Sequence, residues 1–297
     1  MTKVTKIRSP FSSEDGGDAA DRDLVAAAVG GDREALETLV TQHQPWIYNL
    51  ALRMVMVPQD AEDVTQEVLV KVLTKLGSYD PEKAAFRTWL YRIVTNHVLN
   101  MKARGYEGAI TGFDAYYSFV EQIPDTEPND TPEMALIAGD LKIGCVMGTL
   151  LCLDRTQRLA FLLTVAFGAT DRVGSELLGT SRDSFRKTLS RARAKLRQYM
   201  SGNCGLVNPD APCRCRNKVQ SFVNSGAYSV DRLNYLVPDR PAMEEIVGQV
   251  AERFDDELES RTAGLFRSHP FYPGNDPVPW LREMVQDPEF EEIFMAK

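Results

Sequence analysis

Residues Leu177 to Leu196 read LLGTSRDSFRKTLSRARAKL, a pattern typical of the second half of a helix-turn-helix. Gly179 suits the tight turn between two helices, and Ser181 is a residue type that caps a helix N-terminus. Phe185 and Leu189 lie four residues apart, so they share one apolar face. The other faces are basic and carry Arg182, Arg186, Lys187, Arg191, Arg193, Lys195 and Arg197. Because the second helix of this motif enters the DNA major groove, the pattern predicts a DNA-binding helix.

Charge is distributed unevenly along the chain. The whole sequence of 297 residues has a formal net charge of −8. Residues 141–200 carry 11 Lys and Arg against 4 Asp and Glu, a net of +7, whereas residues 216–297 carry 9 against 15, a net of −6. The basic segment favours a nucleic-acid partner, although a solvated basic helix on another helical protein has the same charge.

Composition is that of an ordinary globular protein, with 43% hydrophobic and 26% charged residues. We find no apolar run of about 18 residues, so the sequence predicts no transmembrane helix. Residues 1–20 lack the apolar core of a signal peptide and are predicted to be a disordered tail, which favours a cytoplasmic location. There the five cysteines are expected to be reduced thiols or metal ligands.

Apolar residues recur at helical spacing along nearly the whole chain, which predicts an all-α fold. Helices are predicted within residues 24–76, with a break before Asp60 as an N-cap, and over residues 86–104. Residues 105–140 combine acidic residues with prolines, a composition typical of an extended acidic linker. A second helical unit is predicted over residues 141–200, followed by a mainly helical extension over residues 201–297.

Three segments together resemble the extracytoplasmic-function sigma factors of bacterial RNA polymerase. They are DAEDVTQEVLVKVLTKL at 60–76, FRTWLYRIVTNHVLNMKAR at 86–104 and LSRARAKLR at 189–197. The resemblance implies two small helical domains, region 2 at 21–104 and region 4 at 141–200. It also implies binding to core RNA polymerase, at the β′ clamp helices and the β flap, and binding to promoter DNA. An anti-sigma factor is a further candidate partner.

Region 2 of that family binds polymerase and opens the −10 promoter element. The resemblance implies that the acidic face of the first quoted helix binds polymerase through Asp63, Gln66 and Glu67. The next loop and helix would hold the opened strand, and single strands are bound by aromatic stacking and by cationic side chains. Arg92 and Asn96 are expected to be exposed for this purpose. Trp89 and Tyr91 fit the same role, but for Trp89 we favour packing in the domain core.

Region 4 of that family recognises the −35 element through its recognition helix. The resemblance implies DNA contacts from Arg182, Asp183, Ser184, Arg186, Lys187 and Arg191. Arg186 and Lys187 are the best candidates for base-edge or phosphate contacts. Asp183 either accepts from a cytosine amino group or stabilises the helix N-terminus, and we favour the second role. Gly174 costs about 1 kcal/mol of helix stability and predicts a weakened or unusually packed region 4.

The linker and the extension leave alternatives open. In the family the acidic linker threads toward the polymerase active site and mimics RNA, a role for Asp125, Glu127 and Asp130, whereas a solvated tether has the same composition. The acidic extension either covers the basic recognition helix or region 2 as a fused regulator, or adds a contact to polymerase. Its helices are expected at 229–236, at 243–258 with Val250 and Phe254 on the apolar face, and at 281–295.

Three cysteines lie close together at the start of the extension, namely Cys204, Cys213 and Cys215. They are candidate thiolate ligands of Zn²⁺ or Cu⁺ with one ligand missing, for which His269 is a candidate. Redox sensing and plain packing are the alternatives, the former with Arg214 and Arg216 lowering the thiol pKa. Cys145 and Cys152 are expected to be packing residues. No cofactor is required by the predicted function.

The sequence as a whole predicts a promoter-specificity subunit and not an enzyme, since no triad, phosphate loop or pair of acid–base carboxylates is evident. The alternative function is a helix-turn-helix regulator that binds promoters without polymerase. An enzyme within the extension has only the cysteine cluster in its favour.

Overall fold

The computed structural model describes residues 10–11, 17–103, 105–237, 239–247 and 256–286. The first helices are α1 (Gly17–Val29), α2 (Arg33–Val55), α3 (Pro58–Lys75), α4 (Phe86–Asn100), α5 (Gly105–Ala109) and α6 (Phe113–Glu121). The others are α7 (Pro132–Leu151), α8 (Arg155–Phe161), α9 (Asp171–Leu177), α10 (Arg182–Asn203), α11 (Cys215–Asn224), α12 (Met243–Val247), α13 (Glu257–Arg267) and α14 (Val278–Val285). Within these ranges only isolated β-bridges accompany the helices. The all-α prediction is confirmed.

Region 2 is a bundle of α1 to α4 in which α2 and α3 pack as an antiparallel-type hairpin joined by a short turn. The apolar stripe of α3 faces this core, with Val64, Val68 and Val72 all buried. The predicted cap at Asp60 is wrong. The helix begins two residues earlier at Pro58, and Val57 is its N-cap without a side-chain bond. Proline suits the first turn because it lacks the N–H that a helix start leaves unpaired.

The N-terminal and linker predictions are each wrong in part. α1 begins at Gly17, so the last residues of the predicted tail are helical, whereas residues 1–9 and 12–16 lie outside the described part. The linker predicted at 105–140 contains α5 and α6 and is therefore not fully extended, and its last nine residues, 132–140, already belong to α7. Tyr116 anchors α6, because its ring packs over Gly148 of α7 and its hydroxyl donates to the Cys145 carbonyl oxygen at 2.9 Å.

Region 4 is built on α7, which has buried residues along most of its length. Of the described helices, α7 alone has the length and apolar composition to cross a membrane, and 61% of its apolar window is buried inside the fold. This apolar run is longer than the sequence analysis recognised. Burial on this scale is typical of a core helix, and α7 packs against α2, α8 and α11.

The helices of the extension differ from those predicted, as far as its described residues show, and residues 287–295 of the last predicted helix lie outside them. Residues 229–236 form turns around a bridge between Ser229 and Arg232, so the helix predicted there is wrong. α12 covers only the start of the helix predicted at 243–258, and Val250 and Phe254 lie outside the described residues. α13 was not predicted as a separate helix, and α14 begins at Val278, before the predicted start at 281.

The aromatic residues of the extension are buried against the two regions. Phe271 packs on Trp46 of α2, with ring centroids 5.0 Å apart. Phe266 of α13 packs edge-on against Phe161 of α8 at 4.9 Å. One continuous apolar core therefore contains residues of region 2, region 4 and the extension.

Candidate nucleic-acid interface

The helix-turn-helix has the geometry that its sequence predicts. Gly179, in the turn between α9 and α10, has a φ of +64°, a backbone conformation that favours glycine. Ser181 is the N-cap of α10, and its side chain accepts from the backbone N–H of Ser184 at 3.2 Å. Gly174 lies directly under the ring of Phe185, where a Cβ would come within 2.3 Å of the ring. Glycine here permits close packing of α9 on α10, which explains the departure noted in the sequence.

The N-terminal half of α10 presents the predicted DNA-contacting residues to solvent, namely Arg182, Asp183, Ser184, Arg186, Lys187 and Arg191. The underside of the helix is buried through Phe185 and Leu189. Arg186 forms an ion pair with Asp171 at the start of α9, and its Nε donates to Oδ2 at 2.6 Å. A DNA phosphate or base that binds Arg186 must therefore compete with a carboxylate of the same motif.

The C-terminal half of α10 is paired with the extension. Arg193 Nε lies 3.3 Å from Glu259 Oε1, and Arg197 Nη1 lies 3.0 Å from Asp256 Oδ2. Both carboxylates belong to the first turn of α13, which Asp256 caps by accepting from the Leu258 N–H. The acidic start of α13 thus covers the second half of the basic helix and leaves the first half exposed.

The predicted polymerase-binding residues Asp63, Gln66 and Glu67 lie together on the exposed face of α3. Their spacing of three and four residues places them on neighbouring turns. Glu67 also extends toward α4, where its Oε2 lies 3.3 Å from His97 Nε2. The acidic face is therefore accessible in this structure and is anchored at one end to α4.

α4 carries the residues expected to bind the opened strand. Asn96 and Arg92 are exposed. Trp89 is half-buried in an aromatic cluster, with ring centroids 5.6 Å from Tyr79 and 5.7 Å from Phe86. Packing is thus the observed environment of Trp89. Tyr91 is fully buried and contacts no solvent from which a base could approach.

α4 also packs directly on the helix-turn-helix. The Thr95 hydroxyl donates to the Leu177 carbonyl oxygen at 3.1 Å, and Arg92 Nη2 donates to the Glu176 carbonyl oxygen at 3.2 Å. Arg92, a predicted strand contact, therefore bonds to region 4 in this arrangement. The helix predicted to bind the −10 element therefore packs against the motif predicted to bind the −35 element.

A buried ion cluster stabilises the same contact between the two regions. Glu107 of α5 accepts from Arg155 Nη2 at 2.6 Å and from Arg158 Nη1 at 2.8 Å, both on α8. Arg158 also donates to the carbonyl oxygen of Met54 in region 2. Burial alone would raise the pKa of Glu107, but the hydrogen bonds and charges of the two arginines outweigh it and lower the pKa below its usual value of 4.5.

Asp140 fixes the extension to α7. Its carboxylate is fully buried and accepts from three successive backbone N–H groups, those of Asn234 at 3.1 Å, Tyr235 at 2.6 Å and Leu236 at 2.5 Å. These hydrogen bonds pair three backbone N–H groups of a loop that has no neighbouring helix or strand hydrogen bonds to pair them. Because a carboxylate aligns all three, this loop takes a turn conformation.

The extension is also bonded to α2 of region 2. The Asn49 side chain donates to the Tyr272 carbonyl oxygen at 2.6 Å and accepts from the Tyr272 N–H at 3.2 Å. Arg53, which is buried, donates to the Pro270 carbonyl oxygen at 3.2 Å. At the surface, Arg282 Nε bonds to Glu37 Oε1 at 2.7 Å. The extension thus contacts both regions at once.

The acidic linker is engaged by the start of the extension. Lys218 Nζ lies 3.2 Å from Asp125 Oδ1, and Arg216 Nη2 lies 3.5 Å from Asp130 Oδ2. The Thr126 N–H donates to the Asn217 carbonyl oxygen at 2.7 Å. In this arrangement the linker is docked on α11, so the solvated tether is not what the structure shows.

The cysteines are grouped differently from the sequence expectation. Cys145 lines the same small cavity as Cys204, Cys213 and Cys215. His269 is buried elsewhere, beside Phe266 with ring centroids 6.0 Å apart, so its prediction as the fourth ligand is wrong. Burial raises the pKa of Cys145 to about 12 and also raises the pKa of Cys213 and Cys215.

Comparison with known proteins identifies the family. The Sigma-70 region 2 family matches residues 39–105. The RNA polymerase sigma factor CnrH of Cupriavidus metallidurans is 30% identical over 184 residues, which cover 60% of this chain and 92% of that protein. The chain belongs to the extracytoplasmic-function sigma factors.

Further relatives agree with this assignment. The ECF RNA polymerase sigma factor SigE of Mycolicibacterium smegmatis is 32% identical over 175 residues, which cover 58% of this chain and 65% of SigE. The RNA polymerase sigma-H factor of Pseudomonas aeruginosa is 34% identical over 126 residues, which cover 41% of this chain and 64% of that protein. The chain thus spans just under two thirds of these two relatives. A solved structure of CnrH with the cytosolic domain of CnrY matches with a TM-score of 0.46 at 26% identity, covering 61% of this chain and 97% of CnrH.

Sequence reasoning missed several residues that hold the regions together, above all Glu107 and Asp140. Asp140 had a weak signal, because a carboxylate within the apolar stretch of α7 needs hydrogen-bond partners when buried. Glu107 had no signal, because it lies in a stretch whose acidic composition predicted solvent exposure.

Proposed function

We propose that this sigma factor binds core RNA polymerase through α3 and directs it to promoters through α4 and α10. The contact with polymerase rests on the exposed acidic face of Asp63, Gln66 and Glu67. The −35 contact rests on the exposed basic residues in the first half of α10. We place this function in the cytoplasm, where RNA polymerase and promoter DNA are found.

The contact between α4 and α9 is the observation that supports regulation of this function. The −10 and −35 elements are about 25 base pairs apart, which is about 85 Å along B-DNA at 3.4 Å per base pair. A compact chain of this length has a radius of gyration of about 19 Å. Because Thr95 and Arg92 bond directly to α9, this arrangement cannot read both elements together. We therefore infer a closed form that must open on the promoter.

The extension holds the closed form. It pairs with Arg193 and Arg197 of α10, with Asp140 of α7 and with Asn49 of α2. The connection between α4 and α7, residues 101–131, would span about 100 Å if α5 and α6 unfolded and the chain were fully extended, enough to separate the regions once the extension releases one of them. The extension is thus a fused regulator that lowers promoter binding, and a separate anti-sigma factor remains a further candidate partner.

Run-off transcription with bacterial core polymerase tests this function. The template carries the promoter upstream of the protein's own gene, and the full chain is compared with a chain ending at Met200. We expect transcript from both and more from the shortened chain. Since removal of the extension exposes apolar surface, a full-length Asp140→Asn variant is the second test, with Asp23→Asn as its control because Asp23 lies on α1 and is exposed.

The outcomes separate three functions. More transcript from the shortened chain and from Asp140→Asn, but not from Asp23→Asn, supports the fused regulator. Transcript only from the full chain contradicts inhibition and favours an added contact to polymerase. No transcript from any variant, with firm binding of duplex DNA by the protein alone, contradicts the sigma-factor function and favours a regulator that acts without polymerase.

A further inference from the structure

We propose that Cys145, Cys204, Cys213 and Cys215 are the four thiolate ligands of one Zn²⁺ ion. The site differs from the sequence expectation in its fourth ligand, which is contributed by α7 of region 4. It is independent of the promoter-binding surfaces, so it can be tested without a transcription assay.

Three separate segments bring the thiols to one cavity. Cys145 lies on α7, Cys204 is the C-cap of α10, and Cys215 begins α11. Cys204 and Cys213 form a parallel β-bridge, in which the Gly205 N–H donates to the Cys213 carbonyl oxygen at 3.0 Å. Bridged residues are about 5 Å apart, a separation from which two side chains on one face can bind the same ion.

The chemistry of the cavity favours a thiophilic metal. All four thiols are free, and the remaining lining is mostly apolar with no carboxylate. Four sulfur donors in a tetrahedral arrangement are the typical ligand set of a structural zinc site. Lys142 lines the same cavity, and Lys218 follows Cys215 by three residues on α11. These cations would offset the negative charge of a Zn²⁺ ion with four thiolates.

Binding requires a local rearrangement of side chains. Among the described residues, no group of three or more His, Cys, Asp or Glu side chains is already arranged to hold a metal ion. Rotation about a cysteine χ1 moves its sulfur between staggered positions without moving the backbone. The cavity that all four cysteines line gives their sulfur atoms a shared space into which to turn.

The ion would fasten the extension to region 4. The loop between Cys204 and Cys215 contains no helix and is held by a few backbone bonds, including Cys213 N–H to the Asn203 carbonyl oxygen at 3.1 Å. α11, which follows directly, packs on α7. A metal that joins α7, α10 and α11 stabilises this loop because the unfolded chain lacks a preformed site.

Metal titration of the full chain tests the site. The protein is purified under argon with a non-thiol reductant, stripped with a chelator and titrated with Zn²⁺ against a chromophoric chelator. Co²⁺ is the spectroscopic probe, because its d–d absorption reports tetrahedral thiolate coordination. The variants are Cys145→Ser and Cys213→Ser, and the matched control is Cys152→Ser, a thiol on the same helical segment that does not line the cavity. Parallel titration with Cu⁺ identifies a site of different metal preference.

We expect the wild type and Cys152→Ser to bind one equivalent of Zn²⁺ and to show the tetrahedral Co²⁺ spectrum. Cys145→Ser and Cys213→Ser should lose at least about 10-fold in affinity, since even outer partners of a metal site contribute that much. Zn²⁺ should also raise the melting temperature of the wild type and not of Cys145→Ser. Full affinity in Cys145→Ser, binding of Cu⁺ alone, or a disulfide and no metal would each overturn the proposal.

Discussion

The hydroxyl of Thr95 on α4 donates a hydrogen bond to the carbonyl oxygen of Leu177 at the end of α9, 3.1 Å away, and both residues are buried. This bond joins the helix predicted to bind the −10 strand to the motif predicted to bind the −35 duplex. In a sigma factor these two elements must separate on the promoter. The contact therefore marks the surface at which the proposed closed form would open.

Replacement of Thr95 by Val should favour the open form. The change keeps the shape of the side chain and removes the hydrogen bond to Leu177, and because the Thr95 hydroxyl also lies 3.2 Å from the Arg92 carbonyl oxygen of its own helix, we expect an effect of up to about 1 kcal/mol, or about fivefold in the equilibrium between the forms. Amide hydrogen exchange in α9 should become faster by about that factor. Thr65→Val is the control, because the buried Thr65 hydroxyl bonds within its own helix, to Ala61. Equal acceleration of α9 exchange in both variants would contradict the role of Thr95.

Neutralising the first turn of α13 should strengthen binding to duplex DNA. Asp256→Asn with Glu259→Gln removes the carboxylates that pair with Arg197 and Arg193. The logarithm of the association constant falls with the logarithm of the salt concentration, and each arginine freed to contact a phosphate makes this negative slope steeper by about 0.9. We therefore expect tighter binding and a slope steeper by about 1 to 2, measured by fluorescence anisotropy at several salt concentrations.

Glu257→Gln is the matched control for that experiment. Glu257 lies in the same turn and carries the same charge, but it pairs with Arg261 of its own helix at 2.7 Å. If Glu257→Gln changes the affinity and the salt slope as much as the double variant, the effect is one of net charge. In that case the pairing of α13 with α10 does not mask the DNA-binding helix.

The pKa of Glu107 makes the contact between the regions sensitive to acid. Its pKa is lowered in the folded protein from the usual 4.5, so its contribution to the free energy of unfolding is fully present above that pH. The contribution is lost as the pH falls through the folded-state pKa. Glu107→Gln should cost about 3 kcal/mol at pH 7, since it removes the negative charge that faces two arginines, although both keep hydrogen bonds to backbone carbonyl oxygens.

Urea unfolding of wild type and Glu107→Gln from pH 7 to pH 3 measures this effect. The difference between the two proteins should shrink as the pH is lowered. Comparing the free energies of unfolding of the two proteins at each pH cancels the contribution of other carboxylates. Asp21 is one of these, because burial raises its pKa but His43 and Arg87 outweigh this effect and lower it. A difference that stays constant over this range would show that the Glu107 charge does not stabilise the fold.

Charge reversal on α3 should weaken binding to core polymerase. Asp63 is exposed and has no role in the core, so Asp63→Lys is expected to leave the melting temperature within about 2 °C while polymerase affinity falls at least about 10-fold. Gln59→Lys introduces a positive charge at an exposed position one turn earlier and should have little effect. Comparable losses in both variants, measured by co-sedimentation with core enzyme, would argue against a specific acidic face.

Local signals predicted local structure well in this chain. Gly179 predicted the turn before α10, and Ser181 predicted its N-cap. A positive φ and a side-chain hydrogen bond to the N–H three residues later both depend on residues close in the sequence. The exposed face of α3 likewise followed from helical periodicity. These features are decided by neighbours in sequence, so one sequence is sufficient to predict them.

Contacts between distant segments were not predictable in the same way. Residues 229–236 have a helical pattern, yet the Asp140 carboxylate takes three of their N–H groups and holds them as a turn. Helical periodicity shows that one face of a segment is apolar, but it does not show which other segment packs against that face. The pairing of Cys145 with the later cysteines, and of Glu107 with α8, depends on how the regions dock, which a single sequence does not encode locally.

The most direct test of the closed form is the distance between the two regions during transcription. Fluorophores are attached through unnatural amino acids at Glu34 of α2 and Gln198 of α10, which are exposed positions, so that the native cysteines remain. Energy transfer should be high in the free protein and fall sharply in the complex with polymerase and promoter, as the regions separate toward about 85 Å. Unchanged high transfer in a complex that produces transcript would contradict the account.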